Sequence, residues 1–255
     1  MKNKINFLNL DKFIIQILIF AIFYSTILFG FFFDEDPLGG ARHDFFYHYK
    51  ISELFNLDFF QTFDDFGKPN SNDMHTRNSP FFWIIISFLI SFFSESGIRL
   101  LNSLVSIFIA ISLYKCLAIK FKDTNKLTLI LLSSIIFLSP TVRSLSIWPY
   151  SLIWGLLFFT ISLYFFLKIQ DTKNQNLKFR HSFLHLFFLI LSSYIYPSFG
   201  IFIIYFGYYL FLYFKFSKKL FFLLIYCIFL TIPFLYYVIT KNIFVAFYAA
   251  EGIHV

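Results

Sequence analysis

Apolar runs long enough to cross a bilayer recur along this chain, separated by short polar stretches. The first covers residues 12–33 and stops at Phe33, where "DEDPLGGARHDFFYHYK" begins. Others cover residues 98–119, 127–138 with an extension to about 143, 149–167, 183–196, 199–214 and 220–240. A shorter run, 80–93, has 14 residues. As a helix it would be about 21 Å long, less than the roughly 30 Å of a hydrocarbon core. Pro80 suits a first helical turn, and Ser79 suits its cap. A second amphipathic stretch lies near 44–60, where Tyr47, Ile51, Leu54, Phe55 and Phe59 recur at helical spacing, as in a helix lying on a membrane. Between the two, "FDDFGKPNSNDMHTRNSP" reads as a polar loop punctuated by Gly67 and Pro69. The pattern predicts an all-α polytopic membrane helix bundle of about seven transmembrane helices plus two extracytoplasmic juxtamembrane helices. It forms a single membrane domain over residues 1–255, with no soluble domain and no linker.

Basic residues orient the bundle, because Lys and Arg are retained on the cytoplasmic side. If 80–93 does not cross and the N-terminus is inside, 14 of the 21 basic residues lie inside. If it does cross, every later loop changes side and only 6 of them do. The first arrangement is therefore expected: N-terminus cytoplasmic, C-terminus extracytoplasmic, an extracytoplasmic loop over 34–97, six further spans over 98–240 and an extracytoplasmic tail over 241–255. It also leaves 11 of the 14 acids outside.

Composition agrees. Only 14% of residues are charged, against about 25% in soluble domains. The net charge of +7 is explained by basic loops that hold the topology and calls for no nucleic acid partner. The two cysteines, Cys116 and Cys227, sit in apolar runs, so neither a disulfide framework nor a cysteine metal site is expected. The first run is too long for a signal-peptide core and is expected to remain as a span.

Reactive side chains gather on the outer face. The first loop supplies Asp34, Glu35, Asp36, His43, Asp44, His48 and His75, and Arg143 emerges where the 127–143 run ends. A carboxylate at a low-dielectric surface can have its pKa raised and serve as a general base. A guanidinium at headgroup depth suits bidentate binding of phosphate. Together they make a site for a lipid phosphate and an acceptor hydroxyl. Each also has a structural reading: the acid triplet as a solvated helix end, Asp44 as an N-cap, and Arg143 as a snorkelling anchor. His43 and His48 are five apart, off the i, i+4 spacing of paired metal ligands. No metal and no cofactor is assigned. His181 and His185, at helical spacing near the opposite end, are read as structural.

The segments "FFFDEDPLGGARHDFFYHYKISELF", "RNSPFFWIIISFL", "SGIRLLNSL" and "LSPTVRSLSIWPYSLIW" resemble the membrane glycosyltransferases of the C-type fold. They are most similar to bacterial sugar transferases related to the lipid A aminoarabinose and rhizobial core enzymes. The resemblance covers about residues 13–166, with Asn78 where the family commonly has His. It implies a polyprenyl-phosphate sugar donor, a lipid or glycan acceptor, membrane lipids as surroundings, inverting transfer at the outer face and a bacterial inner-membrane location. It also implies a catalytic acid in the first loop: Asp44 by its place at the first juxtamembrane helix, or Asp34 or Asp36 by adjacency to the first span. Arg143, Glu35, His43, His48 and His75 would bind substrate or its phosphate. Family members carry further spans and often an outer C-terminal domain, so the chain is expected to be a truncated or minimal form. The alternatives are a polysaccharide flippase or polymerase, another transporter, or an inactive fragment of a split transferase. Near-absence of acids in the spans after residue 97 argues against ion-coupled transport.

Overall fold

The computed structural model describes residues 7–37, 39–66 and 80–241, with side chains described from 13 to 233 within these. All regular structure among them is helical. The helices are α1 (Phe7–Phe32), α2 (Ala41–Leu57), α3 (Phe59–Asp65), α4 (Pro80–Ile90), α5 (Glu95–Lys120), α6 (Lys126–Ser134), α7 (Pro140–Ile147), α8 (Ser151–Asp171), α9 (Gln175–Ile195), α10 (Phe202–Phe214) and α11 (Lys218–Lys241). Short 3-10 turns at Ile135–Leu138 and Pro197–Ile201 lead into α7 and α10.

Among the described residues, four segments are long and apolar enough to cross a membrane: Phe13–Phe32, Glu95–Lys120, Ser151–Asp171 and Pro197–Phe214. A fifth is reached only if Lys126–Leu138 and Pro140–Ile147 count as one span, and these meet at a 69° bend. Seven spans are expected from the sequence; α9, with 21 residues, is not among those that qualify, and α11 runs beyond residue 233, the last whose side chain is described. The run 127–143 is thus not one helix extended to Arg143. Leu138 ends a 3-10 turn, Ser139 accepts the Val142 N–H, and Pro140 opens a new helix that folds across the bundle.

α8 sits at the centre, packed on α5 and α9. Gly155 allows the end of α9 to approach, since a Cβ there would meet the Tyr196 Cβ at 2.9 Å and the Phe199 ring at 3.0 Å. The Ser192 hydroxyl donates to the Gly155 carbonyl at 2.8 Å, and the Ser162 hydroxyl contacts the His185 ring. Small residues and interhelical hydrogen bonds are how helices hold together where lipid removes the hydrophobic drive. His181 and His185 lie on α9, and His185 is fully buried.

The amphipathic stretch near 44–60 is two helices. Leu57 ends α2, and Asp58 caps α3 by accepting the Gln61 N–H at 3.0 Å. The buried face of α2 is Ala41, Phe45, His48, Ile51, Ser52 and Phe55; His48, Ile51 and Phe55 pack on the Phe82, Trp83 and Ile86 side of α4, and Phe45 on Trp148. Of the positions expected to form that face, Leu54 and Phe59 are exposed. α4 has 11 residues, about 16 Å, and cannot span a core.

Candidate functional site

The mouth of α1 is built by a helix ending in which the chain reverses. Asp34 takes the left-handed conformation at φ 51°, its N–H bonds the Phe31 carbonyl, and the Glu35 N–H bonds the Gly30 carbonyl at 2.8 Å. This is a Schellman ending with aspartate in the position usually held by glycine, which aspartate tolerates better than most residues. It turns the acid triplet back over the bundle. Gly30 leaves room for it, since a Cβ there would meet the Ile147 side chain at 2.6 Å and the Glu35 carboxylate at 2.7 Å.

Each acid of the triplet then reaches a different group. Asp34 Oδ1 accepts from Arg99 Nη2 of α5 at 2.6 Å. The Arg99 guanidinium is buried, lies 3.7 Å from the centre of the Trp148 ring, and is 5.1 Å from that of Phe31. Glu35 pairs with Arg143 Nη2 of α7, and its carbonyl accepts the Trp148 indole N–H at 2.9 Å. Asp36 accepts the Ser144 hydroxyl of α7, the Gly39 N–H at 3.2 Å and the Arg42 N–H at 3.1 Å. Burial pushes the Asp36 carboxyl upward, but these donors, with the Ala41 N–H, outweigh it and hold the pKa below the usual carboxylate value. Asp36 therefore caps α2 in place of Gly40, which has no side chain to offer.

Behind the acids lies a polar brace. Asn102, one turn after Arg99 on α5, donates to the Leu145 and Ser146 carbonyls at 2.8 and 2.9 Å and accepts the Trp154 indole N–H at 2.8 Å. It joins α5, α7 and α8. Arg42 stacks on the Trp148 ring at 5.3 Å from its centre. Three carboxylates and three guanidiniums therefore share one mouth, arranged around one indole.

The structure brings Asp34, Glu35, Asp36 and Arg143 together, with Arg143 on α7, beyond the bend at Ser139. The Arg143 Nε is buried without a partner among the described residues. Asp44 does not cap α2: the helix starts at Ala41, and Asp44 lies in its first turn with an exposed side chain that makes no hydrogen bond or ion pair among the described residues. His43 is exposed beside it. His48 belongs to the core, its ring 3.8 Å from that of Trp83 and 5.6 Å from that of Tyr150. His75 lies outside the described residues. Among the described residues, no group of three or more His, Cys, Asp or Glu side chains could hold a metal ion. Sequence reasoning missed Arg99, Asn102, Trp148 and Arg42 as parts of the site. The signal for the first two was present: an Arg and an Asn at i, i+3 in the opening turns of an apolar helix, where such residues mark buried polar business.

No protein-family model, no curated protein and no solved structure matches this chain.

Proposed function

We propose that the protein is an integral-membrane glycosyltransferase of the C-type fold, taking a sugar from a polyprenyl-phosphate donor to an outer lipid or glycan acceptor with inversion. In this reading α9 and α11 complete a seven-span bundle with the N-terminus inside, and the acid–guanidinium mouth faces out. The observation that carries it is the double engagement of Asp36. Its carboxylate binds the first turn of α2, two residues before Asp44, and also binds Ser144, the residue after Arg143. A free carboxylate and a guanidinium with an unpartnered N–H are thereby held at one mouth.

Asp44 takes the proton of the acceptor hydroxyl as general base. The hydroxyl oxygen attacks the anomeric carbon while the bond to the phosphate oxygen breaks. The electron pair leaves with the polyprenyl phosphate, whose charge Arg143 stabilises. Asp36 and Asp34 hold the frame, and Glu35 holds Arg143 until phosphate displaces it.

The test is transfer of labelled sugar from a panel of polyprenyl-phosphate sugars by the intact chain in vesicles. Transfer is expected, with D44N lowering the rate by about 10²-fold or more and R143Q raising the donor KM. Absence of transfer, or a D44N rate equal to wild type, would overturn the assignment; uptake of substrate into sealed vesicles without transfer would favour a transporter.

A further inference from the structure

Toward the end of the bundle away from the acid triplet, a cavity of about 540 Å³ opens along α8 and α10, beside the ring contacts Phe159–Phe202 and Phe166–Phe206 that join them. Phe159 and Phe166 line it from α8, and Phe202 and Phe206 from α10, with Lys120 and Gln170 also in the lining. Lys120 is the last residue of α5, 21 positions after Arg99, which is about 32 Å along the helix. The cavity therefore lies across the membrane from the candidate site. From Phe159 to Gln170 the groove runs about 16 Å along α8, close to half of a hydrocarbon core of about 30 Å.

Of the residues that line it, Lys120 alone is charged. Lys122 is neutralised by Asp171 beside it. Lys120 is exposed and makes no ion pair among the described residues. A long aromatic slot ending in an unpaired ammonium and an amide matches one chemistry: an apolar chain ending in an anion. We infer that this groove holds one anionic phospholipid of the adjoining leaflet, its acyl chain against the phenylalanines and its phosphate on Lys120 and Gln170. The site is independent of sugar transfer and stands or falls apart from it.

Native mass spectrometry of the full chain in detergent, titrated with phosphatidylglycerol or phosphatidylcholine of the same chains, tests this. Wild type is expected to retain one phosphatidylglycerol about fivefold more tightly than phosphatidylcholine, the effect of one basic residue at a headgroup. K120Q should remove that preference, weakening phosphatidylglycerol more than the zwitterionic phosphatidylcholine. F202A, which strips one wall, should weaken both lipids. K126Q, a lysine at the same end but outside the groove, should change nothing. Equal retention of the two lipids by wild type would overturn the site. So would a preference that survives K120Q, a loss in K126Q equal to that in K120Q, no effect of F202A, or displacement of the lipid by glycerol phosphate alone.

Discussion

Lowering the pH from 7.5 to 5 is expected to loosen the contact between α2 and α4 through His48. That ring is 7% exposed and stacked 3.8 Å from Trp83, and its Nδ1 has no partner among the described residues. Burial pushes its pKa from 6.5 down to about 3. The folded value lies below the unfolded one, so the unfolded chain takes the proton first. Stability from the neutral ring is complete above about pH 6.5 and is lost as pH falls toward the folded value of about 3. At pH 5 the unfolded state gains about 1.5 pKa units, or about 2 kcal/mol. For a chain of this size that is a fall in Tm of about 4–8 °C. The assay is thermal unfolding in detergent at pH 7.5, 6 and 5, for wild type and H48F. Phenylalanine fills the slot and cannot take a proton, so any cost of its extra bulk is the same at every pH. The Tm difference between the two proteins should therefore change by that amount across the series. Parallel curves would refute the reasoning, because they would mean that His48 reaches water or a partner when charged.

Two further outcomes probe the frame of the candidate site. N102L strands two carbonyls and an indole N–H at the junction of α5, α7 and α8, and should cost about 2–4 kcal/mol, read as a drop in Tm and earlier proteolysis between α7 and α8. D34N should cost about 1–2 kcal/mol in a wild-type background, since Asp34 is half exposed and screened, but close to nothing in R99M, where the buried charge that needs it is gone. Additive losses in that double-mutant cycle would show that Asp34 and Arg99 do not act as a pair.

The long apolar helices were legible because an apolar run and a buried or lipid-facing helix are nearly the same thing; α1, α5 and α8 lie within a few residues of their predicted spans, although α1 reaches back to Phe7. Errors arose where helicity and apolarity part company. α9 begins at Gln175, eight residues before the apolar run, because Asn174 accepts the Asn176 and Leu177 N–H groups and "QNLKFRH" is helical though polar. The cross-helix α7 was hidden inside an apolar run, yet Ser139–Pro140 is a cap followed by a first-turn proline, and that pair outweighed hydropathy. The buried face of α2 was misjudged because its partner is α4, and which stripe of a weakly amphipathic helix is covered depends on what covers it. For the same reason the acids and Arg143 could be assigned to one face from charge alone, while Arg99, Asn102 and Trp148 required the packing.

The pairing of the triplet also decides how catalytic tests must be read. Removing Asp34 uncovers the buried Arg99, removing Glu35 frees Arg143 from its partner, and removing Asp36 uncaps α2 and releases α7. Any of these three would lower activity by disturbing the mouth, so loss of transfer in such a variant is not evidence for a base. Asp44 differs. Its exposed side chain supports nothing among the described residues, and an exposed position in a first helical turn loses at most about 1 kcal/mol when a charge is removed. D44N should therefore fold and insert like wild type, and a rate falling while Tm holds would belong to the chemistry. Of the acids at this mouth, the one least necessary to the fold is the one whose replacement can speak about function.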